Sequence, residues 1–205
     1  MWKIVCKQVS RQFNQRTVFE DISFQVESGS SVVLTGPNGS GKTTLIRILS
    51  RLNQPSAGQV TYLRNEQALS TEKLYPHIGL VGPYLQLYNQ LTAFENYKFF
   101  ARIRGLTVDV AQFKSLMKRM GLQGRELDEL RTYSSGMLQR AKYVMALFHQ
   151  PQVLFVDEPT ANLDEKGAAI VYSIMEEQKK DKILIIATNE PEEIRFGDQQ
   201  IAIAS

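Results

Sequence analysis

The stretch Gly36-Pro37-Asn38-Gly39-Ser40-Gly41-Lys42-Thr43-Thr44 constrains this chain more than any other feature. It fits G-x-x-x-x-G-K-[ST], follows the apolar run Val32-Val33-Leu34-Thr35 and precedes Leu45-Ile46-Arg47-Ile48-Leu49. Strand, glycine loop and helix in that order is the setting in which the pattern holds phosphate. A polyphosphate needs backbone N–H groups converging on one point, and glycines let the chain turn with no Cβ in the way. Gly36, Gly39 and Gly41 allow that turn, and Pro37, Asn38, Ser40 and Thr44 complete the cradle. The following helix adds the positive end of its dipole, Lys42 is placed to reach the β and γ phosphates, and the Thr43 hydroxyl to bind Mg²⁺. A nucleotide polyphosphate with Mg²⁺ is the expected ligand.

A second acidic feature closes another apolar run, Val153-Leu154-Phe155-Val156-Asp157-Glu158-Pro159. Successive side chains on a strand point opposite ways, so the two acids divide the work. Asp157 is expected in the Mg²⁺ shell and Glu158 beside the attacking water as general base.

Hydrophobic period divides the rest of the chain. Residues 3–9, 18–26, 31–35 and 59–63 are short, β-branched or alternating, and read as strands that are mostly antiparallel early on. From residue 91 to 150 the period becomes helical. Thr92-Ala93-Phe94-Glu95 has the spacing of a capping box and opens a helix expected to bury Phe94, Tyr97, Phe100 and Ile103. Further helices are predicted over 108–120 and 136–149. The runs 153–156 and 183–186 are continuously apolar, as in parallel strands covered on both faces, and a helical stretch over 166–180 joins them as a parallel crossover. A last strand is expected over 200–204. The result is an α/β nucleotide-binding core, 1–83 and 151–205, interrupted by a helical lobe, 84–150, within one domain.

Composition narrows the function. With 24 Lys plus Arg against 21 Asp plus Glu and no long basic block, nucleic acid is not an expected partner. The single cysteine, Cys6, is expected as a small buried side chain of the first strand, in keeping with a reducing compartment. Apolar runs fall far short of the roughly 20 residues that cross a bilayer, and Met1-Trp2-Lys3-Ile4-Val5 does not read as a targeting signal. A cytoplasmic protein is expected.

Between the two acidic and glycine motifs lies Tyr133-Ser134-Ser135-Gly136-Met137-Leu138-Gln139-Arg140, and here the sequence resembles the ATP-binding cassette superfamily, whose signature reads LSGGQ-x-x-R or a close variant. Ser134 and Gly136 keep their types, Ser135 replaces the first glycine and Met137 the glutamine. Ser134, Ser135 and Gly136 open a helix and can cap an anion from outside; the resemblance implies that the anion is the γ-phosphate held by an opposite subunit. It also implies a P-loop NTPase fold with an antiparallel β subdomain, a RecA-like parallel core and an inserted helical subdomain. Phe13, expected in the loop after the first strand, falls where the family stacks an aromatic on adenine, and Thr160-Ala161-Asn162-Leu163-Asp164 is similar to the loop that crosses the dimer interface.

Two positions depart from the family pattern. Pro83 stands where a glutamine usually contributes to Mg²⁺ and water, and proline offers neither a side-chain ligand nor an N–H; Gln86 is the nearest substitute. Asn189 stands where histidine is usual, still able to donate to a γ-phosphate oxygen but unable to carry charge. The resemblance implies an ATPase subunit, paired with a second ATP-binding subunit and driving a separate transmembrane permease from the cytoplasmic face of the cell membrane. The permease is expected to dock near residues 83–90, where Tyr84, Leu85, Leu87 and Tyr88 are apolar. The alternatives are an ATP-gated dimerisation switch with weak hydrolysis and a soluble assembly ATPase.

Overall fold

The computed structural model describes residues 1–14 and 16–203. The chain runs β1 (Trp2–Phe13), β2 (Arg16–Glu27), β3 (Ser30–Thr35), α1 (Lys42–Leu49), β4 (Ala57–Arg64), β5 (Gln67–Ala68), α2 (Thr71–Leu74), β6 (Ile78–Val81), α3 (Ala93–Ile103), α4 (Val110–Arg119), α5 (Ser135–Leu147), β7 (Val153–Asp157), α6 (Glu165–Asp181), β8 (Ile183–Ala187), α7 (Pro191–Ile194) and β9 (Gln199–Ala202). The expected last strand is thus β9; Ala204 lies outside the described residues.

Two sheets form. The first has the order β2-β1-β4-β5 and its pairs are antiparallel; the second has the order β6-β7-β8-β3-β9 and its pairs are parallel. The β7-α6-β8 unit is the expected crossover. Its continuously apolar strands are covered on both faces, and alternate residues feed different cores. Val153, Phe155, Ile183 and Ile185 face α1 and the antiparallel sheet, including Cys6. Leu154, Val156, Leu184 and Ile186 face α5 and α6 and run continuously into the helical residues Tyr97, Phe113 and Met117. The Cys6 thiol is buried and burial pushes its pKa up to about 12.

In α3 the capping box forms in full: Thr92 Oγ1 accepts from the Glu95 N–H at 3.1 Å, and Glu95 Oε2 accepts from the Thr92 N–H at 2.9 Å. Tyr97 is buried, whereas Phe94 and Phe100 are half-buried and Ile103 is 67% exposed. The expectation for Ile103 fails because the inward face of α3 turns through Ala93, Asn96, Tyr97 and Ala101, leaving Ile103 on the outer side of the last turn. Asn96 satisfies its amide on the carbonyls of Tyr88 and Thr92.

All strands of the parallel sheet end at one edge. From there emerge the glycine loop after β3, Gly82-Pro83 after β6, Glu158 after β7 and Thr188-Asn189 after β8. That carboxyl edge is where open α/β sheets place ligands.

Candidate nucleotide site

The tip of the glycine loop, Pro37, Asn38 and Gly39, is exposed, while Ser40 and Lys42 are buried. Lys42 folds back beneath the loop, its Nζ donating to the carbonyls of Gly36 at 2.5 Å and Pro37 at 3.1 Å. Gly41 is the N-cap of α1 at φ 106°, a conformation that penalises side chains, and a Cβ there would lie 2.5 Å from Val18 Cγ1. The loop is thereby seated on β2. Gly41 has no side chain to cap the helix, and none of the neighbouring side chains does so. By contrast α3, α4, α5 and α6 are capped by Thr92, Asp109, Ser134 and Asp164. Among the described helices of eight residues or more, α1 alone keeps its first N–H groups, at Lys42, Thr43 and Thr44, without a side-chain partner. The Ser40 hydroxyl, also buried, has no partner either.

Thr43 Oγ1 donates to Asp157 Oδ2 at 2.6 Å, joining the first turn of α1 to the end of β7. Asp157 is 2% exposed, and burial holds its pKa above the usual carboxylate range, with the Thr43 hydrogen bond opposing and the Glu158 charge adding to the rise. Glu158, directly after the strand, adopts φ 54° and leaves its side chain exposed. Its N–H donates to the Ala187 carbonyl at 2.9 Å. The backbone reversal separates the two carboxylates as the strand period predicts: one is buried against Thr43, the other faces solvent. Asn189 reaches the glycine loop, with Nδ2 donating to Asn38 Oδ1 at 3.1 Å.

Ser134 and Ser135 are exposed at the start of α5. Ser134 Oγ accepts from the Met137 N–H at 3.2 Å, which leaves its hydroxyl proton free to donate outward. Gly136 has a second reason to lack a side chain: a Cβ there would lie 2.9 Å from the Asn162 carbonyl oxygen. The 160–164 loop is therefore packed on the start of α5. Asp164 caps α6 through the Gly167 N–H at 2.8 Å.

Phe13 is the last residue of β1 rather than a loop residue, because the β1–β2 hairpin is longer than its hydrophobic pattern. Its ring is 47% exposed, and the Arg11 guanidinium lies 4.2 Å from the ring centroid on one face.

Pro83 and Gln86 are both exposed. Gln86 lines a 380 Å³ cleft together with Leu85, Ser135, Gln139, Lys142 and Asn162. Of the four apolar residues expected at a docking surface, Leu87 is buried, Tyr84 and Leu85 are half-buried and Tyr88 is exposed. Tyr84 turns inward instead. Its ring packs over Gly82 and beneath the Arg47 guanidinium at 4.3 Å, and its hydroxyl is buried with no partner.

One residue escaped the sequence reading: Glu193, a carboxylate only 1% exposed that accepts hydrogen bonds from Thr160 and Thr188. Glu193 sits among Glu190, Glu192 and Pro191, which read as a solvated turn. The available signal was the apolar Phe196, three residues on, which lies just past the end of that short helix and is buried.

A family profile described as ABC transporter matches residues 19–161. The uncharacterized ABC transporter ATP-binding protein YybJ of Bacillus subtilis (strain 168) is 35% identical over 185 residues, covering 90% of this chain and 84% of that protein. The linearmycin resistance ATP-binding protein LnrL of the same organism is 31% identical over 198 residues, 95% of this chain but 64% of that protein's length. A solved ATP-binding subunit of an ABC transporter superposes with a TM-score of 0.84 at 26% identity, covering 98% of this chain and 85% of that one.

Proposed function

The chain belongs to the ATP-binding cassette transporter family, as an ATP-binding subunit that hydrolyses ATP to power transport, and on that premise we propose how its residues divide the work. The triphosphate lies in the cradle of residues 36–44, on the N–H groups of α1 and the Lys42 ammonium, and adenine stacks on the open face of Phe13. The observation that carries this reading is the uncapped start of α1: a helix end that no side chain among the described residues satisfies is matched to an anion.

The residues present fit Mg²⁺. Thr43 and Asp157 are hard oxygen donors already 2.6 Å apart. Among the described residues no group of three or more His, Cys, Asp or Glu side chains gathers to hold a metal. A cation here draws its remaining ligands from phosphate and water, which is how Mg²⁺ is commonly bound beside nucleotides. Held by Thr43 and Asp157, the ion would supply neutralisation of the charge that develops on the phosphate oxygens. Glu158 accepts the proton of the water that attacks the γ-phosphorus in line, while Lys42 and Asn189 donate to its oxygens. Ser134, Ser135 and Gly136 reach the γ-phosphate of a second subunit in a head-to-tail pair, homodimeric or heterodimeric.

The same reading divides the domain into a core, 1–83 and 151–205, and a signature lobe, 84–150. No helix among the described residues is long and apolar enough to cross a membrane. On the same reading the transported substrate passes through a separate permease, seated on the cleft beside Leu85 and Gln86, with this subunit held at the cytoplasmic face and no nucleic acid involved. A second reading, an ATP-gated switch with slow turnover, draws on Pro83 and on the place of Gln86 in a cleft lined by no residue of the glycine loop.

Phosphate release by the purified chain tests the first reading. Glu158→Gln should lower turnover by about 10²–10⁴-fold and leave ATP binding intact; unchanged turnover refutes the role given to Glu158, and a wild-type rate already at that low level favours the switch. Co-purification from detergent-solubilised membranes with a polypeptide carrying spanning helices tests the permease; recovery from the soluble fraction alone refutes it.

A further inference from the structure

Glu193 has no part in the chemistry above, yet a carboxylate 1% exposed has lost nearly all of its hydration and must be held by donors. It is. Oε1 accepts from the Thr160 N–H at 3.0 Å and the Thr160 hydroxyl at 2.6 Å, and Oε2 accepts from the Thr188 hydroxyl. Thr160 lies two residues after Glu158 and Thr188 one before Asn189. Each oxygen of one carboxylate thus holds a different loop of the site.

The surroundings make this a rigid strap. Thr188 is 2% exposed; its N–H donates to Leu34 and its Oγ1 accepts from the Glu190 N–H at 2.9 Å. On the other side the Pro159 carbonyl accepts from the buried Tyr143 hydroxyl at 2.9 Å. The loop that continues from Thr160 is the one whose Asn162 carbonyl packs on Gly136. A displacement at Asn189 therefore has a path through Thr188, Glu193 and Thr160 to both Glu158 and the exposed start of α5, and each step of that path is a hydrogen bond or packed backbone.

We propose that Glu193 is a positioning residue for ATP hydrolysis, holding the Glu158 loop and the Asn189 loop as one unit so that both groups meet the γ-phosphate in register. The inference rests on the reading that Glu158 and Asn189 flank that phosphate.

Steady-state kinetics of the full chain test it. Glu193→Ala should lower kcat by about tenfold or more, the scale of lost hydrogen bonds to a charged group, with KM for ATP kept within about twofold because the cradle is untouched. Thr160→Val and Thr188→Val should each lower kcat by less, and adding either to Glu193→Ala should change nothing further, since both act through the same carboxylate. An unchanged kcat in Glu193→Ala, or threonine effects that multiply in its background, overturns the proposal. If Glu193→Ala does not fold, the two threonine variants combined carry the same test, with a joint effect smaller than the product expected.

Amide exchange reads the strap without turnover. Thr188→Val alters only the second loop, yet should speed exchange at the Thr160 amide; unchanged exchange there overturns the coupling. Full turnover in Glu158→Gln sinks the underlying reading, whereas its loss there with unchanged Glu193→Ala kinetics sinks this inference alone.

Discussion

The Thr43 hydroxyl and the Asp157 carboxylate, 114 residues apart in the chain, meet at 2.6 Å across the parallel sheet's carboxyl edge. The acid is nearly fully buried, and burial raises its pKa against the opposing pull of the Thr43 hydrogen bond. The sign follows. A carboxylate with a folded pKa above its unfolded value binds more protons when folded, so its contribution to stability falls as pH rises from the unfolded pKa through the folded one. Asp157→Asn should therefore raise the melting temperature of the nucleotide-free chain at pH 7 while weakening Mg²⁺-dependent ATP affinity by at least about tenfold. Melting curves and calorimetric titrations with and without Mg²⁺ check both halves.

His149 behaves oppositely. Its Nε2 donates to the Ile78 carbonyl at 2.9 Å, Nδ1 is buried without a partner, and burial lowers its pKa to about 4. A histidine held neutral in the fold contributes stability that is complete above its unfolded pKa and is lost as pH falls from about 6.5 toward about 4. Urea unfolding across that window should show the decline, and His149→Gln should flatten it.

Tyr84→Phe removes a buried hydroxyl that has no partner while keeping the ring on Gly82 and under Arg47. An unpaired buried hydroxyl is costly, so the nucleotide-free chain should gain about 1 kcal/mol, equivalent to about 2–4 °C in melting temperature.

Gly136→Ala sets a Cβ 2.9 Å from the Asn162 carbonyl oxygen. Backbone must shift to admit it, at a cost of about 1–3 kcal/mol, and the 160–164 loop should be displaced from the start of α5. Chemical denaturation measures the first effect. Association of the chain in ATP with the Glu158→Gln background measures the second, and should weaken.

Much of this protein is legible in its residues because the signals are local. The turn of residues 36–44, the apolar runs of β7 and β8 and the Thr92–Glu95 box each depend on neighbours a few residues away, and local patterns survive into the fold. Boundaries drift where register rather than hydrophobicity extends an element, as in β1, which runs on through Phe13 by pairing with β2. Ile103 was misplaced for a related reason: aromatic spacing marks a helix but does not say how that helix is rotated against Phe113 and Met117.

Residue order thus specified the phosphate cradle, the acid pair and the α/β alternation, since each is written in chemistry within one short segment. It left open that Tyr84 turns in while Gln86 turns out, and that Glu193, of three neighbouring acids, ties two loops together. Those outcomes follow from strand order: by placing β8 between β3 and β7, the sheet brings segments far apart in the chain into contact, and no periodicity along one segment records which partner it will meet.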